Sequence, residues 1–201
     1  MIIPGNDPPQ GANALPAAVC IRPMRLEDID AVIQIDRLSF SLPWPASAFR
    51  HELVDNPTSL LWVAEVDSPE GGQCVVGAVV VWMILDAAHI ATLAVHPEYR
   101  RRGISRQLLV TVLRQAIERG ADLATLEVRA NNLAAQALYK QFRFEIVGRR
   151  PRYYQDNFED ALIMTVEFSR GTSAQSGYRD TLEKLHPEHQ SPNPKEVQIE
   201  S

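Results

Sequence analysis

Apolar positions recur along the chain in two rhythms. In "LEDIDAVIQIDRLSF", Leu26, Ile29, Val32, Ile33 and the stretch Ile35 to Leu38 fall at helical spacing, and the prolines of "SLPWPAS" end that run. Ser47 to Val54 predicts a second, short helix. "VCIRPM", "LLWVAEV", "CVVGAVVVWMIL" and "HIATLAV" are rich in β-branched residues, and the turn-like "DSPEGGQ" joins the second and third of them as a hairpin. Arg101 to Arg119 returns to the helical period, with Ile104, Leu108, Leu109, Val112, Leu113 and Ile117 on one side and Gly120 as its stop. "LATLEV" predicts a buried strand and "NLAAQALYKQF" a helix, with Asn131 or Asn132 as its N-cap. "FEIVGRR" and "ALIMTVEF" predict two last strands around "PRYYQDNFED". This order, βααβββαβαββ, predicts an α+β domain with one central mixed sheet, not a doubly wound one.

The pattern places the folded unit between Val19 and Phe168. Residues 1–18 are rich in Pro, Gly, Asn and Ala, show no period, and read as a disordered tail. Residues 169–201 read as mostly disordered, with room for a short helix around Tyr178 to Leu185 before Pro187, Pro192 and Pro194.

Composition narrows the function. The 201 residues are 45% hydrophobic and 22% charged, as in an ordinary globular protein, and the net charge of -5 excludes a general binder of nucleic acid. No apolar run reaches membrane-spanning length. The N-terminus lacks the basic and apolar regions of a secretion signal. Cys20 and Cys74 lie far apart and form no metal-type pair, so reduced thiols, a cytosolic location and no metal are expected. Nothing in the pattern fixes an oligomeric state.

The chemistry starts at "YRRRGISR". A helix N-terminus is already positive, so loading it with Arg100, Arg101, Arg102 and Arg106 is unfavourable unless an anion arrives. A strand end, an Arg-Gly loop and a helix start together make a phosphate seat, in which Gly103 lets backbone approach closely. The alternative is a solvated basic helix face. No Gly-Lys-Ser/Thr follows as in a P-loop, and no G-x-G-x-x-G is present.

"Arg-x-x-Gly-x-Ser" at Arg100 to Ser105, preceded by "TLAVHPEY", resembles the acyl-coenzyme A motif of the GNAT N-acetyltransferase superfamily, Gln/Arg-x-x-Gly-x-Gly/Ala. "LEVRANNLAAQALYKQFRF", the early "FSLPW" and the late "RRPRYY…EDALIM" are similar to the RimI-type branch, which acetylates protein N-terminal amines. The resemblance spans about Ile21 to Phe168. It implies a sheet of six or seven strands flanked by about four helices and splayed after the fourth strand, with acetyl-coenzyme A in the splay. It implies that Arg101, Arg102, Gly103, Ile104, Ser105 and Arg106 seat the diphosphate, that backbone of Leu93, Ala94 and Val95 binds the pantetheine arm, and that Asn132 touches the cofactor. An extended amide-bearing ligand pairs with a strand edge as another strand would.

By the same resemblance Glu127 is the general base and Tyr139 the general acid. Read from the residues, a lone carboxylate late in an apolar strand is costly unless paired or useful, and Arg129 lies on the same face as a salt-bridge partner. Tyr139 shares its helix side with Ala135, Leu138 and Phe142, so core packing is its other role. Asn132 could simply cap its helix. Trp44, Arg152, Tyr153 and Tyr154 sit in loops, where they can clamp a peptide end or cover the core. Two positions depart from the family pattern. Ser105 replaces Gly or Ala and would be strained if a positive φ is needed there; Arg143 replaces the glycine that usually ends the helix.

The expected activity is acetyl-coenzyme A-dependent acetylation of a protein N-terminus, such as that of a small-subunit ribosomal protein. Alternative acceptors are a lysine side chain or a small amine, although Arg149, Arg150 and Arg152 do not suit a polyamine. The alternative outside enzymes is a non-catalytic acyl-coenzyme A sensor.

Overall fold

In the computed structural model, which describes residues 19–68, 71–168 and 172–186, seven strands form one sheet in the order β1-β2-β3-β4-β5-β7-β6. The strands are β1 Cys20–Pro23, β2 Ser59–Asp67, β3 Gln73–Ile84, β4 Ala87–Val95, β5 Leu123–Arg129, β6 Glu145–Arg150 and β7 Ala161–Glu167. The helices are α1 Ile29–Ser39, α2 Ala46–Val54, α3 Ile104–Glu118, α4 Leu133–Gln141 and α5 Thr172–Leu185. Every strand pair is antiparallel except β4 with β5. No helix among the described residues is long and apolar enough to cross a membrane.

The apolar run of β3 is continuous because both of its faces are covered. Ala78 and Val80 pack with Val32, Ile33 and Phe49 under α1 and α2. Val79 and Val81 pack on the other face with Leu108, Leu109, Val112 and Leu113 of α3. Each fully buried leucine there contributes about 1.5–3 kcal/mol. Gly77 lets the end of β4 and the start of α3 approach the β3 backbone. A Cβ at Gly77 would stand 3.2 Å from the Ala94 carbonyl oxygen and from the Ile104 and Val95 side chains.

Two expectations change. The helix expected from Arg101 begins at Ile104, because Arg101 and Gly103 both take positive φ, 66° and 78°. The packed structure also extends past Phe168. Tyr178 and Leu182 of α5 are buried, Leu185 packs beside them, and α5 lies on α3. Its apolar stripe is only three residues wide within a polar segment, so its period is weak. Residues 1–18 and 187–201, also assigned to tails, lie outside the described residues.

α4 ends in a Schellman motif: Phe144 N–H donates to the Tyr139 carbonyl at 3.2 Å and Arg143 N–H to the Lys140 carbonyl at 3.0 Å. Arg143 sits at the left-handed position with φ 62°, where a Cβ costs about 1 kcal/mol or more relative to glycine.

Edge strand β1 is fastened by Arg22. Its guanidinium donates to both oxygens of Asp28 (2.7 and 2.8 Å) and both of Glu65 (2.8 and 3.0 Å). These bonds hold the Glu65 carboxyl below its ordinary range. Burial pushes Asp28 up, but Arg22 and the Arg25 amide outweigh it and leave Asp28 lowered as well. Carboxylates depressed in the folded state stabilise it above their unfolded pKa, and that stability is lost as pH falls through the folded values. Urea unfolding should therefore show stability dropping steeply below about pH 4. Arg22→Met should flatten that acid limb. At neutral pH it should cost the low end of the roughly 3–5 kcal/mol for breaking a buried pair, because the Arg22 side chain keeps 15% exposure.

Candidate functional site

β4 and β5 pair at only three positions, Ala87, Ala88 and His89 with Leu123, Ala124 and Thr125. Beyond them β4 carries a bulge. Val80 faces Thr92 while Val81 faces Ile90, so Ala91 is the extra residue. A bulge bends and twists its strand, and here β4 leaves β5. The gap opens into a cleft of about 500 Å³ lined by Leu93, Ala94 and Val95 on one wall and by Asn132, Ala135, Leu138 and Tyr139 on the other.

Arg101, Gly103, Ile104, Ser105 and Arg106 line the same cleft. Arg100 fixes the loop from below: its Nε donates to the Val95 carbonyl at 3.0 Å and its Nη2 to Ser39 Oγ at 3.1 Å. Gly103 is the N-cap of α3 and supplies no side-chain cap, so first-turn N–H groups stay available to an anion, with the helix dipole behind them. Arg106 spans the cleft to Gln141 of α4, donating from Nη2 at 3.0 Å, while its buried Nε has no protein partner. Ser105 lies inside the first turn, so the positive φ falls on Arg101 and Gly103 and not on the serine. Arg102 does not line the cleft; its guanidinium lies over the Tyr99 ring, 5.1 Å from the centroid. Asn132 lines the cleft and also caps α4, accepting from the Ala135 amide at 3.1 Å.

Glu127 approaches from the opposite face of the sheet. Its β5 neighbours Leu126 and Val128 point into the α3 core. The Glu127 carboxylate contacts Arg150 Nη2 at 3.0 Å and His89 Nε2 at 3.4 Å. His89 stacks on Trp82 at 5.6 Å, and Trp82 stacks on Trp44 at 5.9 Å. Glu52 Oε2 accepts from Trp82 Nε1 at 2.9 Å. Arg129 is therefore not the partner of Glu127. It is taken by Asp156 at 2.8 Å and Glu159 at 3.3 Å and lies 3.9 Å from the Tyr154 ring centroid.

Arg129 also donates to Ser41 Oγ at 3.0 Å, and Ser41 donates to Asp156. The α1–α2 linker is thus tied to the β6–β7 loop across the Glu127 face. Phe40, Leu42, Tyr153 and Phe158 stand exposed along these two segments. Trp44 belongs to the core beneath them, with its ring 5.2 Å from Phe49 and its amide donating to Asp36 Oδ2 at 2.7 Å. Arg152 is exposed, with its amide bonded to Asp160 Oδ1 at 2.8 Å.

Tyr139 is buried, and burial pushes its phenol well above the ordinary tyrosine value. Burial also raises Tyr154, to about 12, against the downward pull of Arg129. Both phenols hold their protons at neutral pH. Sequence reasoning missed His89, Trp82 and Glu52. For His89 a signal existed, since it is the one ionisable residue in "HIATLAV", as Glu127 is in "LATLEV".

Residues 29–144 match the family model described as Acetyltransferase (GNAT) family. A Bacillus subtilis (strain 168) protein, provisionally named a ribosomal protein bS18-alanine N-acetyltransferase, is 42% identical over 73% of this chain and 93% of its own length. The ribosomal protein bS18-alanine N-acetyltransferase of Escherichia coli (strain K12) is 30% identical over 74% of this chain and 97% of its own. Among solved structures, the ribosomal-protein-S18-alanine N-acetyltransferase from Escherichia coli superposes with a TM-score of 0.67 at 28% identity, covering 77% of this chain and 96% of that one. Arabidopsis thaliana NAA60 in complex with a bisubstrate analogue gives 0.69 at 25% identity, covering 75% and 98%.

A Cβ at Gly103 would meet nothing within 4 Å, so its substitution cost is conformational. Gly103→Ala should destabilise by about 1 kcal/mol and lower Tm by roughly 2–4 °C. It should also weaken acetyl-coenzyme A binding in calorimetry. Ser105→Ala should leave Tm unchanged, because Ser105 is helical.

Proposed function

The chain belongs to the GNAT acetyltransferase family, and from that premise we propose that it moves the acetyl group of acetyl-coenzyme A to the N-terminal amine of a protein, with Glu127 as base and Tyr139 as acid. The observation that carries this reading is the placement of those two residues. Tyr139 lines the cleft on one face of the sheet, and Glu127, a half-buried carboxylate, stands on the other face of β5 beyond its last pair with β4, which supports an acid on the cofactor side and a base on the acceptor side.

The cofactor side fits acetyl-coenzyme A. The uncapped start of α3, with Arg101 and Arg106, suits a diphosphate. The Leu93–Val95 backbone, free of β5, suits an amide-bearing arm. Asn132 borders the same path. Arg102, over Tyr99, contributes charge from outside the cleft.

The acceptor side fits a chain end. An N-terminal amine has a reference pKa of about 7.7–8 against about 10.4 for lysine, so a carboxylate base suffices for the former. Glu127 accepts the proton lost by the amine, directly or through water. Arg150 and His89 orient that carboxylate. Tyr139 delivers its proton to the departing thiolate and is suited to this because burial keeps the phenol protonated. The tied linker and loop bound the acceptor space, with Tyr153 and Tyr154 in its wall, which favours a terminus over a lysine within a chain. By similarity to relatives named for bS18 alanine, the acceptor is an N-terminal alanine of a small-subunit ribosomal protein.

Glu127→Gln and Tyr139→Phe should each lower kcat by roughly 10²-fold or more at neutral pH with little change in KM for acetyl-coenzyme A. The acid limb set by protonation of the acceptor amine, with a reference pKa of about 7.7–8, should persist in Glu127→Gln; wild-type kcat in that variant would sink the base assignment. Mass spectrometry of a peptide panel, comparing acetylated N-termini with lysines, separates the proposed acceptor from the alternatives.

A further inference from the structure

α4 is held in place by contacts at both of its ends. At the start, Gln136 donates to the carbonyls of Arg129 and Ala130 at 3.2 and 2.9 Å, docking the helix on the end of β5. At the finish the closing turn runs through Tyr139 itself, whose carbonyl accepts from Phe142 at 2.9 Å and Phe144 at 3.2 Å. The Tyr139 ring packs against Phe144 with centroids 5.7 Å apart. The direction of the phenol in the cleft therefore depends on the geometry of this last turn.

That turn is intrinsically weak. α4 has nine residues, too few to be stable alone. Its left-handed cap is Arg143, where glycine would be unstrained. Helix-end carbonyls also need partners. One is supplied from outside the helix: the Tyr178 hydroxyl of α5 donates to the Phe142 carbonyl at 3.0 Å, a bond buried between two elements. Phe142 is completely buried and Tyr178 is 3% exposed. Phe168 steadies the Tyr178 ring at 4.9 Å, and Leu182 anchors α5 one turn further on. α5 lies beyond the span of the family match.

We propose that α5 is a positioning element for catalysis: the Tyr178 hydroxyl, bonded to the Phe142 carbonyl, holds the last turn of α4 against its unfavourable Arg143 cap and so fixes Tyr139 in the cleft. This rests on the reading of Tyr139 as the acid. Tyr178 touches neither substrate, and it acts through the backbone of α4.

The test uses full-length protein, acetyl-coenzyme A and a peptide beginning with alanine, assayed below the melting temperature of each variant. Tyr178→Phe keeps the ring and removes the bond. It should lower kcat by up to about fivefold, the ceiling set by the loss of one buried hydrogen bond, with KM for acetyl-coenzyme A essentially unchanged. Arg143→Gly relieves the cap and should leave turnover unchanged alone, but restore most of the lost kcat in the Tyr178→Phe background. Arg143→Val worsens the cap without touching Tyr178 and should lower kcat in the same sense. A purely structural role would lower Tm while kcat stayed put. Wild-type kcat in both Tyr178→Phe and Arg143→Val, a loss that Arg143→Gly fails to rescue, or a change confined to KM overturns the proposal. Tyr139→Phe serves as the reference. If it is impaired while those outcomes appear, only the positioning role falls; if it turns over like the wild type, the acid assignment falls and takes the positioning role with it.

Discussion

Neighbouring strands can share hydrogen bonds only while they stay about 4.8 Å apart. β4 and β5 keep that spacing for three residue pairs and then part at the Ala91 bulge. The rest of the site depends on that separation. It leaves the backbone of Leu93 to Val95 without a β5 partner in the middle of a sheet, a costly condition unless something else supplies the bonds. It also makes a passage between two faces that a closed sheet would isolate. One face carries the helix-start seat and Tyr139, and the other carries Glu127. The packing of β3 on both sides keeps the opening from collapsing, because β4 stays paired to β3 on either side of the Ala91 bulge.

Charge is divided to match. On the cofactor side the cations act together with an uncapped helix start, and the Nε of Arg106 is buried without a partner. On the Glu127 face three arginines are engaged by carboxylates. Arg150 contacts Glu127, Arg149 contacts Asp160, and Arg129 is shared by two carboxylates. One face is prepared to receive negative charge, and the other is largely neutralised, as suits an uncharged attacking amine.

Much of this was legible in the sequence. The alternation of periods located every strand and the first four helices, and the Arg-Gly loop announced an anion seat. The family resemblance marked Arg143 as standing where a glycine usually ends the helix, and the structure keeps that helix end with Arg143 in the left-handed conformation. What local rules could not decide was competition between distant groups. Residues 127 and 129 do share a face, as alternation requires, yet the Arg129 guanidinium is claimed by carboxylates about thirty residues downstream. The His89–Glu127 contact joins strands linked by a whole helix, and no spacing rule spans that distance. Trp44, in a proline-rich linker, had no period to mark it as core. For α5 the sequence left room for a short helix around Tyr178 to Leu185, but not its start at Thr172 or its docking on α3, Phe168 and the end of α4, which are long-range contacts.

The sharing of Arg129 has a mechanical consequence. Its guanidinium meets Ser41 from the α1–α2 linker and Asp156 and Glu159 from the β6–β7 loop, and Ser41 and Asp156 also bond each other. Neither segment can swing away alone without stripping a bond from the other. The two walls are therefore coupled through one side chain: a shift of either the linker or the loop is felt by the other through Arg129.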